Sequence, residues 1–154
     1  MRIDEGRIKH MHGVAEYMYS HAHEYELNPD EMYLLGLVHD IGYINGPNGH
    51  EEYGAELVGD NYYGDFIRYH GKTPQMYADA HGIVKAEIPN EMLLLWEADM
   101  SINSDGDEVS FQERLEGIKN HHGSDSKAYH TCIETVSFLE NRKAIKFLTS
   151  NVVH

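Results

Sequence analysis

Twelve of the 154 residues are histidine, the side chain that most often ligates metal and that titrates nearest neutral pH. Their surroundings single out a few. Met32, Leu35 and His39 share one helix face, and Asp40 follows at the helix end. An adjacent His-Asp pair is expected about once by chance in this composition, so the signal lies in its place, just before a glycine-rich loop. His50 begins the next helical piece, with Gly54 and Leu57 on its side, and His70 ends another, four residues after Phe66. Asp99 interrupts an apolar stripe of Met92, Leu95 and Ile102 with a carboxylate. A buried carboxylate without a partner costs several kcal/mol, so Asp99 calls for a cation, either a neighbouring arginine or a metal ion. His10 and His12 lie about 100° to either side of the first apolar stripe, and periodicity does not choose between them. Each of these residues alone also fits a satisfied core or surface side chain. Several of them at the ends of successive helices, where a chain can converge, point to a metal centre.

The elements that must position them read as helices joined by short loops. Residues 3 to 24 carry Ile8, Met11, Ala15, Met18 and Ala22 at helical spacing. Asn28-Pro29-Asp30-Glu31 supplies an N-cap, a first-turn proline and two acids for the positive helix end, opening a helix that runs to about His39. The loop Ile44 to Gly49 is dense in helix breakers, and its composition makes it a candidate lid over the site. Further helices are expected over 50 to 58, 61 to 70, from Pro89 to a polar turn at Ser101 to Asp107, 109 to 120 and 124 to 149. No alternating strand pattern, repeat or low-complexity tract is present. The expected fold is all-α, one domain over 1–154 with about six to eight helices.

Three lookalikes fail on spacing. Gly71-Lys72-Thr73 ends like a P-loop, but Phe66 stands where the first glycine is required. Ser101-Ile102-Asn103-Ser104-Asp105-Gly106 imitates the start of a calcium loop, yet it lacks an acid at position 1 and has Gln112 at position 12. His121-His122 precedes Gly123 and reads as a solvated loop.

Composition narrows the partners. Twelve Lys and Arg against 26 Asp and Glu give a formal charge of −14. That balance disfavours a nucleic-acid duplex and an anionic membrane surface, both of which recruit cationic side chains. The longest purely apolar run, Met92 to Trp96, is far too short to span a bilayer, and MRIDEGRIKH has no apolar signal core. Cys132 is the single cysteine, which leaves no internal disulfide and fits a reducing cytoplasm.

The ordered set of motifs resembles a known superfamily. Arg7-Ile8-Lys9-His10 followed by Val14-Ala15, then Leu37-Val38-His39-Asp40-Ile41-Gly42, resembles the HD-domain metal-dependent hydrolases. His50 with Gly54-Ala55-Glu56-Leu57, Ile67-Arg68-Tyr69-His70-Gly71 and Glu97-Ala98-Asp99-Met100 are similar to that family's later elements. The resemblance covers about residues 7 to 100. The order H, HD, H, H, D is that of the two-metal branch, and by motif the chain is most similar to small HD hydrolases that cleave diadenosine tetraphosphate. The tail, with Glu113-Arg114-Leu115 and a long last helix, resembles uncharacterised bacterial members. The family pattern favours His10 over His12, and this chain departs from many relatives in carrying Tyr43 where they have Lys.

The resemblance implies a helical HD bundle and two divalent transition ions (Fe, Mn, Co, Ni or Zn). Asp40 would bridge them, with His10, His39 and Asp99 on one and His50 and His70 on the other. Asp40 and His39 would be the catalytic pair, and a metal-bridging hydroxide would attack a small phosphate ester or anhydride, in the first place a nucleotide. Arg68 and Lys72, which flank His70, and Arg114, after the Asp99 helix, are the candidate substrate cations. Tyr43, Tyr53, Tyr62, Tyr63 and Tyr69 are candidates to stack a base. The same six ligands also occur in a few di-iron HD oxygenases, and a non-catalytic nucleotide-binding module is the third reading. Fold alone does not choose among these.

Overall fold

The computed structural model describes residues 3–59 and 61–150. Among the described residues it is all-α, a bundle of eight helices: α1 (Glu5–His21), α2 (Pro29–Val38), α3 (His50–Val58), α4 (Tyr62–Tyr69), α5 (Pro74–His81), α6 (Asn90–Asp99), α7 (Phe111–His122) and α8 (Lys127–Ser150). The only extended pairing among these residues is an isolated bridge between Ile102 and Glu108. Among the described residues no helix is long and apolar enough to cross a membrane.

Local signals account for most of the boundaries. The Asn28 side chain accepts the Glu31 backbone N–H with Pro29 in the first turn of α2, the pattern its sequence predicts. Thr73 and Pro74 do the same for α5, Thr73 accepting from Met76 N–H. That helix is absent from the sequence reading, although it carries the same cap-and-proline signature. The first helix is shorter than expected: it ends at His21, and Ala22–Tyr25 continues as a 3-10 turn closed by Glu26 at φ 57°. The expected loop after Gly42 begins instead as a 3-10 turn, Ile41–Asn45. Ser110 and Glu113 form a reciprocal capping box that opens α7. His121 and His122 are the last turn of that helix rather than a loop.

Helix α6 is the hub. Met92 to Ala98 are all buried, so this helix, apolar apart from Glu97, is covered on every side. Helices α1, α2, α4 and α8 pack against it. Phe66 and Ile67 from α4, Met32 and Leu35 from α2, Val14 and Met18 from α1 and Leu139 from α8 complete that core. A smaller cluster of Met100, Ile118 and Val136 joins the end of α6 to α7 and α8. The polar turn after α6 folds back on α1. A Cβ on Gly13 would lie 2.8 Å from Gly106 O, and one on Gly106 would lie 2.5 Å from Lys9 O. Only glycines permit that approach, and Gly106 also has φ +84°. Ile8, counted in the sequence stripe, is 43% exposed.

Candidate metal centre

Helix ends deliver most of the site. His39 is the C-cap of α2, Asp40 follows it, His50 is the first residue of α3, His70 is the C-cap of α4 and Asp99 is the last residue of α6. His10 alone comes from mid-helix, on α1. His39, Asp40, His70 and His10 are all buried. Gly42 lets the second half of the site close on the first: a Cβ there would lie 1.7 Å from the His50 carbonyl oxygen.

One local device orients three of the four imidazoles. His39, His50 and His70 each donate Nδ1–H to the carbonyl three residues back, on Gly36 at 2.7 Å, Pro47 at 3.1 Å and Ile67 at 2.6 Å. His10 donates its Nδ1–H to Asn103 O at 3.0 Å, across the turn that packs on α1. A carbonyl only accepts, so each bond puts the ring proton on Nδ1 and leaves Nε2 with its lone pair outward.

Those four Nε2 atoms all face carboxylate oxygens. His10 Nε2 lies 2.8 Å from Asp99 Oδ1 and 3.8 Å from Asp40 Oδ2. His39 Nε2 lies 3.3 Å from Asp40 Oδ2 and 3.5 Å from Asp99 Oδ1, with angles that make no hydrogen bond, so it is a buried nitrogen without a partner. On the other side of Asp40, Oδ1 is 3.2 Å from His70 Nε2 and 3.7 Å from His50 Nε2. Asp40 thus turns one oxygen toward His10 and His39 and the other toward His50 and His70. Ligand atoms of His10, His39 and Asp99 lie within 4.8 Å of one another, as do those of His39, Asp40 and His70.

Lone pairs facing lone pairs repel unless a cation lies between them. Protons supply it in part. Burial lowers the His39 pKa, but the charges of Asp40 and Asp99 more than offset this and push it up to about 10. His70 is also raised, burial being outweighed by Asp40. His50 is lowered, by burial and then by His70. Burial raises both carboxyls, yet His39 and His70 hold Asp40 well below the usual range, and His10 and His39 do the same to Asp99. Protonating all four rings would set four imidazolium charges and Arg7 against two carboxylates, and His70's share in lowering His50, second to burial, registers that repulsion. Divalent ions resolve the conflict with all four rings neutral, so the donor set fits them. Mixed imidazole and carboxylate donors suit a transition ion better than Ca²⁺ or Mg²⁺.

The centre opens into a cleft of about 700 Å³. Arg7, Tyr43 and His50 line it, as do Arg114, His121 and His122. Arg114 donates Nε–H to the Asp99 carbonyl at 3.1 Å, which ties α7 to the end of α6. His122 is lowered first by burial, then by His121, Arg114 and Arg7. Arg7, not picked out from sequence as a site residue, thus joins Arg114 as a cation lining the cleft, and His122, whose charged form those neighbours disfavour, lines it as well.

Other expected residues fall elsewhere. Arg68 and Lys72 are not among the cleft's lining residues; Arg68 Nε donates to Glu52 at 2.7 Å. His12 lies on the exposed flank of α1. Of the five tyrosines only Tyr43 lines the cleft. Tyr62 and Tyr63 bond Glu91 and Glu31, and Tyr69 packs on Tyr77 and His81. A second acidic group, His21, Glu24 and Glu97, is satisfied internally. His21 bonds Glu24 at 2.8 Å, and buried Glu97 takes Tyr17, Tyr25 and Lys143.

The family model described as HD domain matches residues 7–144, from the turn before His10 well into α8. No curated protein and no solved structure matches the chain.

Proposed function

The chain belongs to the HD-domain family, and from that premise we propose that it is a phosphohydrolase using two divalent transition ions on a small phosphate ester or anhydride, a nucleotide before others. One observation carries the reading: four Nε2 lone pairs, each fixed by an Nδ1–H bond to a carbonyl, converge on two carboxylates. His10, His39 and Asp99 would hold one ion, His50 and His70 the other, with Asp40 shared through its two oxygens.

Bound ions supply Lewis acidity and a water acidic enough to ionise near neutral pH, the chemistry required for in-line displacement at phosphorus. The chain's own contribution is to fix that site. The carbonyls of Gly36, Pro47, Ile67 and Asn103 hold the rings in one tautomer and one orientation, as outer partners of metal-binding histidines commonly do. Trp96 donates its indole N–H to the His70 carbonyl at 3.1 Å, which anchors the end of α4 to the hub helix. Arg114 supports Asp99 through its backbone and adds positive charge to the cleft. Among the three cations first considered for substrate binding, its placement favours Arg114 over Arg68 and Lys72.

The test begins with elemental analysis of protein purified without added metal or chelator. Two equivalents of transition metal per chain are expected. A screen of phosphate monoesters, nucleotides and dinucleoside polyphosphates then follows, with oxygen uptake recorded in parallel. Turnover that vanishes in Asp40→Ala supports the reading. Oxygen uptake without phosphate release, or no metal after reconstitution, overturns it in favour of the oxygenase or the binding module.

A further inference from the structure

Arg7 has a position that its motif does not explain. It is the third residue of α1, and Asp4 accepts its backbone N–H at 2.9 Å as the helix cap. One helical turn separates it from His10, so both side chains lie on the face that meets Asp40. Arg7 Nη1 donates to Asp40 Oδ2 at 3.3 Å. The guanidinium carbon lies 3.8 Å from the centre of the Tyr43 ring, and that ring stacks on His50 at 3.9 Å and 27°. Arg7, Tyr43 and His50 therefore make a continuous stack along one wall of the cleft, and a third of the Arg7 side chain is exposed.

The two holds on Arg7 differ in what they depend on. Its bond to Asp40 uses Oδ2, the oxygen that also faces His10 and His39. A dication held by those residues competes for that oxygen and repels the guanidinium. The stack on Tyr43 needs no carboxylate and survives. A guanidinium then lies flat on a ring beside the centre, with its N–H fork released from Asp40. That fork matches two oxygens of a tetrahedral oxyanion.

We propose that Arg7, held flat on Tyr43, is the clamp for the substrate's phosphoryl oxygens, and that Tyr43 is its positioning residue. This inference rests on the phosphohydrolase reading and names the chain's own group that recognises the substrate class. Arg7 exchanges one anion for another: Asp40 in the metal-free chain, the phosphoryl group in the loaded one.

The experiment is calorimetric binding of inorganic phosphate to metal-loaded protein, with metal content measured on every variant. Arg7→Ala is expected to keep its metal and to bind phosphate roughly tenfold to a hundredfold more weakly. Arg7→Lys keeps the charge but not the fork or the stack, and is expected to lose about threefold to tenfold. Tyr43→Phe keeps the ring and should bind as the parent does, whereas Tyr43→Leu should approach Arg7→Lys. Parent-like phosphate affinity in Arg7→Ala, with or without a loss of thermal stability, overturns the clamp while leaving the hydrolase reading intact. Fully loaded parent protein that binds no phosphate and turns over no ester overturns both.

Discussion

Replacing Gly42 by alanine probes how the two halves of the centre meet. The added Cβ would lie 1.7 Å from His50 O, 2.6 Å from His50 C and 2.8 Å from Gly54 N. Carbon and oxygen in contact need more than 3 Å or so, and backbone cannot rotate aside as a side chain can. The start of α3 must therefore retreat by more than about 1 Å, taking His50 away from Asp40 and His70. Overpacking of this kind costs about 1–3 kcal/mol. Two controls separate this clash from glycine effects in general. Gly49 has open space but φ +71°, so alanine there should cost about 1–2 kcal/mol from backbone strain alone. Gly117 has open space within α7, and alanine there should gain up to about 1 kcal/mol in helix propensity. Urea unfolding in chelator measures the stability of each, and elemental analysis of reconstituted protein measures the site. The expected result is that Gly42→Ala alone loses both stability and the ion that His50 and His70 are proposed to hold. A Gly42→Ala protein as stable as the parent and fully loaded would refute the claim that this contact sets the distance between the halves.

Further expectations follow from individual groups. Asp40→Ala should leave the protein without bound metal or turnover, whereas His12→Ala should change neither, as read by elemental analysis and the phosphate screen. Removing metal by chelation should lower the melting temperature by roughly 10–20 °C if both ions are present at about a hundredfold over their dissociation constants, checked by thermal denaturation with and without chelator. Burial raises the Glu97 pKa, but Tyr17, Tyr25 and Lys143 outweigh it and hold the carboxyl below its usual value. Its contribution to stability is therefore complete above the unfolded carboxyl pKa near 4.5 and disappears as pH falls through the lower folded value. Urea unfolding from pH 6 to 3 should show a steeper acid limb in the parent than in Glu97→Gln. Burial pushes the Cys132 thiol up to about 11, so alkylation by iodoacetamide at pH 7.5 should run more than tenfold slower than for an unfolded control.

Sequence alone set down the helices with caps and periodic faces. Asn28-Pro29 opened α2, Gly59 closed α3, and the unbroken apolar run at Met92 to Trp96 marked a helix that had to be surrounded. It also exposed the chemical anomaly, histidines and carboxylates at the ends of apolar stripes, because the solvation cost of such residues is a local property. Thr73-Pro74 carries the same cap-and-proline signal as Asn28-Pro29, so α5 is legible in the sequence by the same rule. What sequence could not contain were relations between distant elements. His10 and His12 are equivalent by helical angle, and only the turn after α6, folding onto Lys9 and Gly13, buries one of them and gives its Nδ1–H the Asn103 carbonyl. Arg68 neighbours His70 in the chain, yet it is Arg7, sixty-three positions before that histidine, that faces Asp40 and the cleft. Periodicity fixes which way a side chain leaves its own helix; which elements it then meets is decided by how the helices cross, and that depends on close approaches such as Gly42 to His50 that no local pattern records.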